Sequence, residues 1–223
     1  MFSDAFAYAN VPYRIKPYAS ILSDPYDTIE FDETLDRVID ARVGAMGADG
    51  RLMLDPNGGV YQVNLAEKIL VTLLSKIANF VPDTGIWMNT QRPEWNDANN
   101  ALVGTGVSVV TLCYLHRFLN KVVPLFAELD SDSVKLSAEV ADFLSEVGSV
   151  LKTHQDSIGT GPVSNSVRKE VMEALGTAAE RYRQGIYDHG FSASKKTVSL
   201  ASITDCLSRA RDVSAISIRS NRR

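Results

Sequence analysis

Residues 103–126 read VGTGVSVVTLCYLHRFLNKVVPLF, and this run decides the fold. From Val107 to Phe126 apolar side chains fall nearly all the way round a helical wheel. A helix without a wide polar stripe is one covered on more than one side, so the run is expected to be a central helix rather than a surface one. Its β-branched residues leave a buried strand as the alternative for its first third.

Helical patterns extend outward from this run in both directions. Downstream, residues 134–154 place Leu136, Val140, Phe143, Leu144, Val147 and Leu151 on one stripe. Residues 166–190 follow Ser164 or Asn165, either able to cap, and end at Gly190, a residue suited to the left-handed position after a helix. Residues 199–219 carry Leu200, Ile203, Cys206 or Leu207, Ala210, Val213 and Ile216 at helical spacing, and a short strand is expected at Thr197–Leu200. Upstream, Phe31, Leu35, Val38, Ile39 and Val43 predict an amphipathic helix over 31–46. Residues 47–63, GADGRLMLDPNGGVYQV, place Asp-Pro-Asn-Gly-Gly between two apolar runs, which predicts a β-hairpin. Asn64 then caps a helix over 65–80, with Glu67 three places on in the pattern of a capping box. Residues 1–30 hold Tyr8, Tyr13, Tyr18 and Tyr26 without helical periodicity and are expected to be extended and packed by their aromatic rings. The expected architecture is one mostly α domain over 1–223, an extended segment at 1–30 and a helical body at 31–223, with one hairpin and short strands. A chain that stops directly after an amphipathic helix is also what a piece of a larger barrel would show.

Composition excludes several functions. The chain of 223 residues is 45% hydrophobic and carries a net charge of -4, which argues against nucleic acid, since phosphate binding usually shows as a basic face; the cationic clusters Lys195-Lys196 and Arg219, Arg222 and Arg223 are expected to be solvated surface. No window approaches eighteen uninterrupted apolar residues, and no basic-then-apolar leader opens the sequence, so neither membrane insertion nor secretion is expected and the cytoplasm is the default. Cys113 and Cys206 sit in apolar helical patterns and are expected to be buried free thiols. No histidine or cysteine pairing has metal-ligand spacing, so no metal is expected. His116 reads as a hydrogen-bonded core residue, and Asp55-Pro-Asn-Gly-Gly as a turn rather than a calcium loop.

The residues that suggest chemistry lie at 85–100, GIWMNTQRPEWNDANN, which holds both tryptophans of the chain. A sugar offers apolar C–H faces to indole rings and hydroxyls to carboxylates, amides and guanidinium groups. Trp87, Arg92, Trp95, Asn96 and Asn100 are therefore candidate sugar contacts. Asp97 and Glu94, three apart, are candidate catalytic carboxylates: glycoside cleavage needs an acid whose pKa is raised by apolar or like-charged surroundings. The structural alternative is a buried loop in which Asp97 caps the next helix.

The run EWNDANNALVGTGVSVVTLCYLHRFL resembles the corresponding run of the phosphorylases that cleave cellobiose and related β-glucosides. These belong to the (α/α)6-toroid, or six-hairpin, glycosidase group. Their Asp-Trp-Asn-Asp motif precedes Gly-Met-Asn and a long apolar helix; here Glu94 replaces the first aspartate, Ala98 the glycine, and Asn99-Asn100 the Met-Asn. The resemblance covers roughly 40 residues. It implies Asp97 as general acid, Trp95 as a sugar contact, an oligosaccharide or glucoside substrate, and inorganic phosphate as co-substrate if the reaction is phosphorolysis, with no other cofactor. A twelve-helix toroid exceeds 300 residues, so the chain would be part of one, completed by the remainder of a larger chain or by a homo-oligomer. A hydrolase would also need a second carboxylate, for which Glu30, Asp32 and Asp55 are the weak candidates; otherwise the function is a non-catalytic glycan-binding or structural helical module.

Overall fold

The computed structural model describes residues 1–89, 103–159 and 162–221. Among these the chain is mostly α, with seven α-helices and nine short strands. The N-terminal part contains β1 (Phe6–Ala7), β2 (Tyr13–Ile15), α1 (Tyr18–Ser23), β3 (Ile29–Phe31), α2 (Glu33–Met46) and β4 (Gln62–Val63). Next come α3 (Leu65–Ile77), β5 (Phe80–Val81), β6 (Gly85–Trp87), β7 (Val107–Ser108) and α4 (Val109–Ala127). The chain then forms β8 (Ser133–Ser137), α5 (Ala138–Gly159), α6 (Asn165–His189), β9 (Lys195–Ser199) and α7 (Leu200–Ser220).

Helix boundaries follow local capping chemistry. The side chains of Asp32, Asn64, Ser108, Ser164 and Ser199 each accept a hydrogen bond from an otherwise unpaired N–H in the first turn. Gly190 closes α6 at φ 68°, as a terminating glycine should. The core forms where α4 packs on α7 and α5 packs on both α6 and α7. Leu74, Leu112, Leu119, Phe126, Val147, Leu151, Leu175, Ile203 and Leu207 lie at its centre, each wholly or almost wholly buried. A smaller cluster of Tyr61, Val63, Val140 and Phe191 joins the N-terminal segment to α5 and α6, with the Tyr8 ring stacked on Phe191.

Four expectations are corrected. Residues 134–137 form strand β8, paired antiparallel with β9 from Ser133↔Ser199 to Ser137↔Lys195, instead of opening the next helix. The cause is visible in the burial: Val134 and Leu136 are buried and Lys135 exposed, an alternation of two that only an extended chain provides. The helical stripe proper begins at Val140. Phe31 and Phe80, assigned to helices, lie in β3 and β5. The 47–63 hairpin keeps its turn, in which Asp55 accepts from Asn57 and Gly59, but its arms are joined by a single bridge, Leu54↔Val60. The arms instead join the N-terminal segment, through Ala9↔Leu52 and β1–β4, because Tyr8 and Tyr61 both stack on Phe191. Finally, the 1–30 segment is not wholly extended: it holds α1, and its rings are split between buried Tyr18 and exposed Tyr13 and Tyr26.

The central-helix expectation for 107–126 also changes. Leu112, Leu115, Leu119, Val122, Val123 and Phe126 of α4 are buried, whereas Val110 and Tyr114 on the opposite face are 66% and 65% exposed. One face of the helix, not its whole circumference, makes the core. Cys113 lies on that outer face, so the expected buried thiol is exposed, and only Cys206 is buried.

Candidate functional site

A three-stranded sheet ordered β5-β6-β7 carries the first part of the tryptophan-rich stretch. Its central strand pairs Ile86 with Phe80 on one side and with Ser108 on the other, and Trp87 with Val107. The β5–β6 turn is anchored from outside: Asp83, at φ 60°, accepts from the Val163 N–H, and its own N–H donates to Ser217 Oγ. This sheet hands Trp87 to the surface of the helical layer.

The Trp87 indole is fixed at both ends. Its Nε1–H donates to the Gly104 carbonyl at 2.9 Å, and its ring meets Tyr18 edge to face at 6.3 Å. Gly104 sits at φ 81°, and a Cβ there would stand 2.2 Å from the Pro25 carbonyl oxygen, so both conformation and space demand glycine. Tyr18 is in turn seated on α6: its N–H donates to Glu180, its hydroxyl to the Met172 carbonyl, and its ring lies where a Cβ on Gly176 would be. Burial, and then the charge of Glu173, push the Tyr18 hydroxyl up to about 12.

Beside Trp87 the Asn89 amide, itself buried, donates to the Asn79 side-chain oxygen at 2.7 Å. Trp87, Asn89 and Asn79 line a cavity of about 210 Å³ together with Lys76, Tyr182 and Arg183. That volume is below the roughly 300–1,000 Å³ of sites for drug-sized ligands. Arg183 Nε is buried without an acceptor, a donor unsatisfied at the cavity wall. Desolvation lowers the Arg183 pKa, Tyr187 and Glu180 opposing it. Burial first, and then Glu67, raise the Tyr182 hydroxyl well above the ordinary tyrosine range, so it presents a neutral donor and acceptor.

Asn89 and Val103, the described residues on either side of 90–102, both line this cavity. The chain is closed there: the Gly104 N–H donates to the Met88 carbonyl at 2.6 Å, and the Met88 N–H to Gly106 at 3.0 Å. Arg92, Glu94, Trp95, Asn96, Asp97 and Asn100 lie outside the described residues. Of the residues singled out in the sequence, Trp87 is therefore the one placed at the cavity. Asn79, Lys76, Tyr182 and Arg183 were not singled out. Asn79 lies in the turn just after α3, ten residues before Asn89, and the others sit on helices whose sequence shows only ordinary surface polarity.

The weak candidates for a second carboxylate are placed elsewhere. Asp32 caps α2 and pairs with Arg14, and the Leu35 N–H, followed by Arg14, holds its pKa below the usual carboxylate value. Asp55 folds its own turn, and Glu30 is exposed on β3. No carboxylate is among the described residues lining the Trp87 cavity.

The most buried carboxylate of the described chain is Glu67, and it serves structure. The capping box is only half made: Asn64 accepts from the Glu67 N–H, but the Glu67 carboxylate turns away from Asn64. It accepts from the Ser137 N–H at 2.7 Å, from Ser137 Oγ at 2.6 Å and from the Tyr8 hydroxyl at 3.1 Å. Lys195 Nζ stands 3.9 Å away. Burial and the Glu67 charge hold the Tyr8 hydroxyl far above its ordinary value. His116 is hydrogen-bonded as expected, with the Arg211 carbonyl at Nδ1 and Asn120 at Nε2, but it is half-buried instead of lying in the core. No group of three His, Cys, Asp or Glu able to hold a metal occurs among the described residues, and no described helix is long and apolar enough to cross a membrane. Neither the protein-family models nor the curated proteins contain a match to this chain.

Proposed function

We propose that this chain is a carbohydrate-active enzyme, or a piece of one, that cleaves a glycosidic bond with Asp97 as the general acid and Glu94 assisting it. The carrying observation is that Asn89 and Val103, which bracket the segment containing Glu94, Trp95 and Asp97, line one cavity with the Trp87 indole. Trp87 offers an apolar face for sugar C–H groups, the Asn79–Asn89 pair offers amide groups for hydroxyls, and Arg92, Trp95, Asn96 and Asn100 complete the contacts. Arg183 and Lys76 at the same cavity supply positive charge that inorganic phosphate would use if the reaction is phosphorolysis. The toroid assignment rests on the resemblance of 94–119 and on the mostly α content. In this reading the protein acts on a glucoside or oligosaccharide in the cytoplasm, as part of a larger helical barrel.

The test is turnover of β-glucosides, with and without phosphate, by the wild-type protein and by Asp97→Asn. Loss of at least about a hundredfold in rate is expected for removal of a general acid. Wild-type rates in the variant would refute the assignment. Because the cavity lacks a described carboxylate, the competing reading is a glycan-binding module; binding of sugar at the Trp87 site without turnover under either condition would establish it instead.

A further inference from the structure

A second cavity, of about 350 Å³, lies among α2, the chain entering β2, the 47–63 segment and the C-terminal end of α6. It shares no lining residue with the Trp87 cavity. Its volume falls within the range of small-molecule sites. Leu35, Met53, Leu54 and Ile186 give it an apolar wall, and Arg14 and Arg42 give it charge. The two guanidinium groups are in opposite conditions. Arg14 holds Asp32 Oδ2 with Nε at 2.8 Å and Nη2 at 2.7 Å, donates Nη1 to the Tyr187 carbonyl at 3.4 Å, and lies 5.4 Å from the Tyr187 ring centroid. Arg42 has the same Nε–Nη2 edge buried and without an acceptor, the one side chain among the described residues with two such orphaned atoms. Those two nitrogens are the parallel donors of the guanidinium fork, the edge that a carboxylate takes with both oxygens. Buried charged donors without acceptors weaken the fold, so this edge calls for a partner that the described chain does not provide.

We propose that this cavity binds a small monocarboxylate with an apolar body, its carboxylate on the Arg42 fork and its body against Leu35, Met53, Leu54 and Ile186. Charge selects a monoanion. Asp32 neutralises Arg14, and no Asp or Glu is among the described lining residues, so the single charge of Arg42 is left over. The cavity also meets the last turn of α6 at Tyr187 and Gly190, where the helix dipole is negative, and this disfavours a dianion such as phosphate. The apolar wall selects the rest of the ligand, since it gains nothing from a bare oxyanion and gains by covering an alkyl chain or a phenyl ring. The fork is out of contact with water, so a ligand reaches it through rotation of the Arg42 side chain, which itself lines the cavity. The site is independent of the glycosidic reading of the Trp87 cavity.

Isothermal titration of the full chain with phenylpropionate, hexanoate, their neutral primary amides and inorganic phosphate tests this. The acids are expected to bind, and the amides and phosphate to bind at least about tenfold more weakly, because they lack either the charge that strengthens the fork's hydrogen bonds or the apolar body. Arg42→Met removes the fork and should cost the acids a similar factor, whereas Arg42→Lys keeps the charge without the fork and should fall between. Methionine-methyl NMR of the wild-type chain locates the ligand even if the variants fold poorly, since Met53 lines this cavity and Met88 lines the Trp87 cavity. The acids should shift the Met53 methyl resonance, assigned with Met53→Leu, and leave Met88 in place. Absence of binding by either acid, equal binding of acid and amide, tighter binding of phosphate than of the acids, or a folded Arg42→Met or Arg42→Lys that binds as the wild type does would each overturn the proposal. So would a shift at Met88 without one at Met53.

Discussion

Replacing Glu67 with alanine should destabilise the protein more than any other single truncation of a charged side chain in the described structure. Glu67 is wholly buried, and its two oxygens accept from the Ser137 N–H, Ser137 Oγ and the Tyr8 hydroxyl. Tyr61 O–H donates to Ser137 Oγ at 2.8 Å, and without Glu67 the two hydroxyls have only that one bond to share, so alanine strands three donors: the Ser137 N–H, the Tyr8 O–H and one of the Ser137 and Tyr61 O–H groups. Each stranded buried donor costs about 1–3 kcal/mol, and the lost side-chain volume adds to this; relief from holding a charge in the interior subtracts. The net expectation is a loss of about 3–5 kcal/mol, which for a chain of this length lowers Tm by roughly 6–20 °C. Glutamine distinguishes hydrogen bonding from packing. With its oxygen toward the Ser137 N–H and its amide donating to the Ser137 and Tyr8 hydroxyl oxygens, glutamine keeps the backbone donor paired and the volume filled while the Tyr8 O–H loses its acceptor, so Glu67→Gln should lose about 1–3 kcal/mol, less than alanine. Urea unfolding followed by far-ultraviolet circular dichroism measures all three proteins. If alanine and glutamine cost the same, or alanine costs under about 1 kcal/mol, the carboxylate does not organise the junction of α3 with β8.

Three further outcomes are expected. Gly104→Ala should cost at least about 2 kcal/mol and perturb Trp87 fluorescence, because the added Cβ meets the Pro25 carbonyl and the residue's φ is left-handed; a melt matching wild type would refute the seating of Trp87 on Gly104. A thiol reagent at pH 8 should label Cys113 rapidly and Cys206 only after denaturation, so one rapid equivalent in the native protein and two in denaturant are expected. Stability should fall at alkaline pH: Cys206 is held up to about 12 by burial and then Asp205, and Tyr18 to about 12, while their unfolded forms ionise near 9.0 and 10.0. The folded state then binds more protons than the unfolded state between those values, so stability is full below about pH 9 and declines as pH rises toward 12; a flat urea midpoint from pH 8 to 11 would contradict it.

The helices were legible wherever one periodicity acted alone. Asn64 announced the start of α3, Ser164 or Asn165 that of α6, and Gly190 the end of α6, because a cap is a local device whose signal lies in the residue itself. Legibility failed where two periods overlapped. Val134 and Leu136 fit both a helical stripe running on to Val140 and a strand alternating with Lys135. The choice was made by β9, about sixty residues away, which offered a ladder partner. The same limit explains Glu67. Its sequence position satisfies a capping box, but Ser137, seventy residues on, offers an N–H and a hydroxyl in the interior, and a buried carboxylate takes the stronger set of donors.

The site divides along the same line. Trp87 could be picked out because an indole in a polar segment is conspicuous, yet the reasons for its orientation are not in its neighbourhood. It is oriented by Tyr18, which requires Gly176 on α6, and by Gly104, which requires room at Pro25. The cavity polar groups come from separate places in the chain, Asn79 from the turn after α3 and Tyr182 and Arg183 from α6, which meet only after folding. Glycines at 104 and 176 therefore carry as much of the site's geometry as the tryptophan does, though neither bears a functional group. Their effects should also be separable. Gly104→Ala moves the indole's hydrogen-bond acceptor, whereas Gly176→Ala displaces the ring against which the indole packs. If Trp87 serves by presenting a rigid apolar face, both changes should weaken sugar affinity without touching any residue that bonds a hydroxyl. If it serves only as core, both should lower stability and leave the affinity of the folded fraction unchanged.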